Sequence, residues 1–117
     1  MKKNNLAVFQ DKKIRRVWVG KEEKWYFSVI DVVGALSESN IPRRYWSDLK
    51  IKLKQEGYSQ LYEKIVQLKL ESSDGKFYDT DCTDTETLFR VIQSIPSPKA
   101  EPFKLWLARV GYERVEE

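Results

Sequence analysis

The sequence contains no histidine and a single cysteine, Cys82. With no imidazole and one thiol, the usual zinc sets and the Ser-His and Cys-His catalytic pairs are excluded. One cysteine cannot close an internal disulfide. Long apolar runs are missing as well: no stretch reaches the roughly 18 apolar residues of a membrane span. The opening "MKKNNLAVFQDKK" lacks the apolar core of a secretory signal. A cytoplasmic protein with no membrane partner is expected. The 117 residues carry no repeat or low-complexity segment and suit one domain.

Charge is present but unevenly spread. Residues 1–54 hold 13 basic and 6 acidic side chains, a balance of +7, and residues 55–117 hold 8 and 12, a balance of −4. A basic front half is a reason to look for a polyanion-facing surface, although a basic face can also do nothing but stay hydrated.

Three segments rich in β-branched and aromatic residues open the chain: "LAVFQ", "IRRVWV" and "KWYFSV", separated by "DKK" and "GKEE". They predict a three-stranded antiparallel meander. Ser28 then precedes "VIDVVGAL", with Asp31 three residues on in a capping-box-like arrangement, so a helix should start at about Val29. It should stop in "SESN", ahead of Pro42. A second helix is expected from about Pro42 to Glu56, closed by Gly57, and the two form a helix-turn-helix-like pair. On the second helix Tyr45, Trp46, Leu49 and Leu53 share a face, Arg43, Ser47, Lys50 and Lys54 line a neighbouring one, and Ile51 and Lys52 fall outside both.

After the less regular "GYSQLYE", the run "KIVQLKLESSDGKFYDTDC" predicts a hairpin turning at "SSDG". Thr83 and Glu86 suit a capping box ahead of a helix whose buried stripe is Leu88, Val91, Ile92 and Ile95. "PSPKAEP" breaks the chain, and a last helix carries Phe103, Trp106, Leu107 and Val110 on one face, with Pro102 tolerable only in its first turn. That helix should pack on the sheet. The fold class is therefore α+β: a small antiparallel sheet, meander plus hairpin, with about four helices. The ending "YERVEE" has no Gly or Pro stop, so residues 1–117 are expected to be one amino-terminal domain of a longer protein.

Two basic groups are candidates for nucleic-acid contact. Arg43, Lys50 and Lys54 could neutralise phosphates, with Arg44 or Ser47 near base edges or the sugar-phosphate backbone; the alternative is a solvated helix face. Lys12, Lys13, Arg15 and Arg16, at the first strand turn, could follow the backbone beside the helix pair, or could be charges that protect a sheet edge. Tyr45 and Trp46 could stack on unpaired bases, but they share a face with Leu49 and Leu53, and burial is favoured. Trp18, Trp25, Phe103 and Trp106 are expected inside. Asp79, Asp81, Asp84 and Glu86 could hold magnesium beside a phosphate; strand and helix-cap roles are the simpler reading. Cys82, among acidic neighbours, reads as a small buried residue. No metal and no cofactor are expected.

Four pieces stand in a recognisable order: "IRRVWVGKEEKWYFSVIDVVGAL", "NIPRRYWSDLKIKL", "SSDGKFYDTDCTDTETLFRVI" and "SPKAEPFKLWLARV". Together, from about Ile14 to Val110, they resemble the Bro-N domain of baculovirus Bro proteins, phage antirepressors and the DNA-damage-inducible protein D group. Trp25, Phe27, Asp31 and Val32 match its aromatic strand leading into a "DV" helix, and Phe103, Lys104 and Trp106 match its "FKxW" helix. Where the family has "LGY" after the first helix, this chain has "LSESN". The resemblance implies an α+β fold and a non-enzymatic DNA-binding module, commonly part of a prophage-type antirepressor or transcription regulator with a variable second domain. Duplex DNA is the expected partner, ahead of single strands, and a homodimer or a second domain would supply the contacts that one basic helix lacks. The alternative from another class is a protein-interaction module that engages a repressor or other host protein through the acidic "ESSDGKFYDTDCTDTE".

Overall fold

Alternation of apolar and polar residues sets the sheet, and the point where alternation gives way to helical spacing sets its shape. The computed structural model describes residues 2–114. Strands β1 (Lys2–Phe9), β2 (Lys12–Val19) and β3 (Lys24–Ser28) form the expected meander, with Phe9 opposite Lys12 and Trp18 opposite Trp25. Helices α1 (Val29–Ser37), α2 (Pro42–Gln55) and α3 (Ser59–Glu63) follow. The hairpin β4 (Val66–Glu71) and β5 (Phe77–Asp84) then leads into α4 (Thr85–Gln93) and α5 (Ala100–Val110). β5 joins the meander through β3, giving one antiparallel sheet in the order β1-β2-β3-β5-β4. Five strands and five helices are thus present among the described residues.

Successive strand residues point to opposite faces. On one face Ala7, Phe9, Ile14, Trp18, Trp25 and Phe27 merge with the apolar stripes of α1, α2, α4 and α5 into the main core. The other face carries only a small cluster, Val17, Leu70 and Cys82. Phe9 meets both Phe103 and Trp106 edge-on, and Trp106 Nε1 donates to the Val8 carbonyl at 2.9 Å, so α5 packs on the sheet edge as expected. Pro102 sits in the first turn of α5, where its missing N–H costs nothing.

Local signals held at most boundaries. The Ser28 hydroxyl accepts from the Asp31 N–H at 3.3 Å and starts α1 at Val29. The Asp31 carboxylate does not return the bond to Ser28; it turns to Arg15 instead. Before α4 the cap is Asp84, accepting from the Thr87 N–H at 3.0 Å, one residue later than the Thr83/Glu86 box predicts. β5 continues to Asp84 because that residue pairs with Tyr26, while the Thr83 hydroxyl donates to the Lys64 carbonyl at 3.1 Å. The fifth helix, α3, lies within the segment read as irregular. It is a single turn with only Leu61 buried and no side-chain cap, too short to show a period.

The short β3 shapes what comes next. It turns into α1 at Ser28, whereas its neighbours β2 and β5 run on past that point. Beyond Ser28 no strand separates them, and the β1–β2 and β4–β5 ribbons part. Arg15 spans the gap: Nε and Nη2 bind the Asp31 carboxylate at 2.8 and 3.0 Å, and Nη1 reaches the Glu71 carbonyl of β4 at 3.1 Å.

Candidate nucleic-acid interface

The amphipathic pattern of α2 fixes how its cations are presented. Trp46, Leu49 and Leu53 are buried, and Arg43, Arg44, Ser47 and Lys54 remain exposed. Pro42 occupies the first turn, where no carboxylate is present to offset the arginines. The Ser47 hydroxyl is bonded back to the Arg43 carbonyl at 3.0 Å. Lys54 lies over the Tyr62 ring, its Nζ 4.8 Å from the centroid.

Lys50 behaves differently. Its Nζ is 3.0 Å from Asp81 Oδ2, the same oxygen that accepts from Trp46 Nε1 at 2.8 Å, while Gln67 Nε2 donates to Oδ1 at 3.4 Å. Burial acts to raise the Asp81 carboxyl, but the bonds from Trp46, Lys50 and Gln67 outweigh it and hold the group below its ordinary value. Lys50 thus ties α2 to β5 and does not join the exposed basic stripe in which helical spacing placed it.

The second basic group is divided by the strand it sits on. Lys12 and Lys13 are exposed at the start of β2. Arg15 is half-buried between the ribbons, its guanidinium raised above its usual value by the hydrogen bonds to Asp31 against the opposing effect of burial. Arg16, on the opposite face, is 8% exposed. Its guanidinium carbon lies 3.9 Å from the Trp25 ring centroid, and Nη1 donates to the Val110 carbonyl at 3.1 Å and to Glu113 at 2.7 Å. Four neighbours in sequence therefore do not form one cluster in space: alternation sends Arg15 and Arg16 to opposite sides, and both cations are bound internally.

The structure does bring parts of the two groups together. A polar cleft of about 310 Å³ between α2 and the β4–β5 hairpin is lined by Arg15, Arg43, Ser47, Lys50, Asp79 and Asp81, among others. A second cleft of about 460 Å³, between the parted ribbons, includes Lys13, Arg15, Leu70 and Glu71. Arg15 and Ser72 belong to both walls. Arg44 lies elsewhere, on a shallow hollow with Tyr45 and Asp48.

Trp46 is buried and Tyr45 half-buried against the core, as their spacing predicted. The four carboxylates considered for magnesium are dispersed. Asp79 pairs with Lys69 at 3.1 Å, Asp81 is held as described, Asp84 caps α4 and Glu86 is exposed. Among the described residues no group of three or more Asp, Glu, Cys or His side chains could hold a metal ion. Cys82 is fully buried, and burial pushes its thiol up to about 12.

Sequence reasoning missed Asp31 and Asp81 as the partners that take Arg15 and Lys50 out of the exposed set, since both pairings join residues distant in the chain. It also passed over Phe77 and Tyr78, 53% and 48% exposed at the start of β5. A partial signal existed: adjacent strand residues face opposite ways, so no more than one of the two could point at the main core.

Residues 13–114 match the model of the BRO family, N-terminal domain (Bro-N), which is most of the chain. No significant match is found among curated proteins or among solved structures. The family is one of regulatory, DNA-binding-type domains of the phage and baculovirus antirepressor kind, not a family of enzymes. The matched span takes in β3, β5, β4, nearly all of β2 and every helix, leaving β1 outside it, and the chain belongs to the BRO family as an N-terminal domain of it.

Proposed function

We propose that this domain is the DNA-binding module of a phage- or prophage-type antirepressor or transcriptional regulator and that it docks on duplex DNA through α2. The observation that carries the reading is the presentation of α2: its apolar side is anchored in the core while Arg43, Arg44 and Lys54 stand exposed along it. Arg43 and Lys54 neutralise phosphates and Arg44 reaches a base edge or the backbone; Lys12 and Lys13 add contacts from the β2 start. Lys50, Arg15 and Arg16 serve by holding the surface in shape.

Fluorescence anisotropy of labelled mixed-sequence duplex at two salt concentrations tests this. Four phosphate contacts, from Arg43, Lys54, Lys12 and Lys13, give a slope of log K against log salt of about −3.6. Arg43→Ala with Arg44→Ala and Lys54→Ala should weaken binding and flatten the slope at an unchanged melting temperature. Lys50 is left intact because its loss would disturb the Asp81 contacts. Equal binding by the triple variant removes α2 from the interface.

A second reading is a protein-interaction module that engages a repressor through the hairpin, where exposed Phe77 and Tyr78 stand beside Glu71 and Asp74. It calls for a partner retained after nuclease treatment and lost in Phe77→Ala with Tyr78→Ala.

A further inference from the structure

The residue of α2 that belongs to neither stripe of the sequence pattern is Ile51. It is 56% exposed, and it lies two residues from both Leu49 and Leu53, which are buried. Two residues are about 200° around a helix, so Ile51 points away from the protein. Arg44, Ser47 and Gln55 fall at the spacings of three and four that continue the same row, and all three are exposed. The outward ridge of α2 therefore runs Arg44, Ser47, Ile51, Gln55, with Arg43 and Lys54 along one side of it and the exposed Asp48 along the other. A single exposed apolar side chain needs no explanation in general. Ile51 differs in its setting: it is β-branched, a weaker helix former than the lysines on either side, and it sits midway along a row of hydrogen-bonding side chains.

The major groove of duplex DNA is about 12 Å wide, admits a helix, and presents donors, acceptors and one apolar group, the thymine methyl. Arginine pairs with guanine there, glutamine with adenine, serine with several edges, and an aliphatic side chain with the methyl. We propose that the outward ridge of α2 is the base-reading row of this domain and that Ile51 contacts a thymine methyl. The inference rests on α2 docking on duplex DNA and adds to it which residues distinguish one sequence from another. Arg43 and Lys54, to one side of the ridge, set affinity and register and leave base choice to the row.

The test is a selection from a random duplex pool with the wild-type chain and with Ile51→Ala, followed by titration of the enriched duplex carrying deoxyuridine in place of each thymine in turn. Deoxyuridine removes only the methyl. At one position the wild type should lose about fourfold in affinity, the worth of one buried methyl-sized group. Ile51→Ala should bind the thymine duplex about fourfold more weakly and be indifferent to deoxyuridine at that position. Because Ile51 is exposed, the variant should melt with the wild type. A wild type that binds duplex without enriching any sequence, or that tolerates deoxyuridine everywhere, overturns the base-reading row and leaves α2 as a phosphate-binding helix. A variant still sensitive to deoxyuridine at that position likewise overturns the role of Ile51. A wild type that binds no duplex at low salt overturns the docking itself.

Discussion

Replacing Asp31 by asparagine should unlock the sheet where β3 ends. The Asp31 carboxylate accepts three bonds from one residue: the Arg15 backbone N–H at 2.9 Å, Nε at 2.8 Å and Nη2 at 3.0 Å. The two side chains are only 14% and 24% exposed, so neither charge is well hydrated once the other is gone. Breaking a fully buried pair by removing one partner costs about 3–5 kcal/mol; with the residual exposure here, about 2–3 kcal/mol is expected. At an unfolding entropy near 2.1 cal/mol/K per residue, a chain of 117 residues would lose about 8–12 °C in melting temperature, read by circular dichroism. Amide exchange should also quicken at Glu71 and its neighbours, because Arg15 is what reaches across to that carbonyl. Arg15→Met combined with Asp31→Leu, which removes both charges and keeps volume, should recover much of the loss. An Asp31→Asn chain melting within about 2 °C of wild type would refute the reasoning, and would return Arg15 to the set of cations free for a ligand.

Two further outcomes test the assigned environments. The folded Asp81 carboxyl is held below its ordinary 3.8, so the unfolded chain takes up that proton first as pH falls. The stabilisation is intact above 3.8 and is lost as pH drops through the lower folded value. The melting-temperature gap between wild type and Asp81→Asn should accordingly be widest near neutrality and should close below 3.8; a gap that widens in acid contradicts the Trp46–Asp81–Lys50 arrangement. Cys82, fully buried with its thiol near 12, should resist iodoacetamide in the native protein at pH 8 and label readily in denaturant, as read by mass spectrometry. Fast labelling of the folded chain would place the thiol on an accessible surface.

What could be read from the chain was whatever depends on neighbours in sequence. Alternation in "IRRVWV" and "KWYFSV", the "SSDG" turn, Ser28 ahead of α1 and Pro42 opening α2 are local signals, and each produced its element near the expected boundary. α3 escaped because one turn with a single buried leucine has no period to detect. Thr83 gave way to Asp84 as the cap because pairing with Tyr26 extended β5, a contact made across the sheet.

The basic residues mark the boundary between the two kinds of information. The order of residues alone determined that the front half is basic and that α2 would be amphipathic with arginines near its start, and composition that no histidine-based chemistry is available. Which cations face outward was decided by partners far along the chain: Asp31 for Arg15, the end of α5 for Arg16, and Asp81 for Lys50. Periodicity states which residues share a helix face but not which neighbouring element that face meets, and burial of a charge requires a partner that only the packed chain can bring within hydrogen-bonding distance. For the same reason Ile51, outside every stripe in the sequence, gained a definite position only when α2 was seated with Trp46, Leu49 and Leu53 in the core.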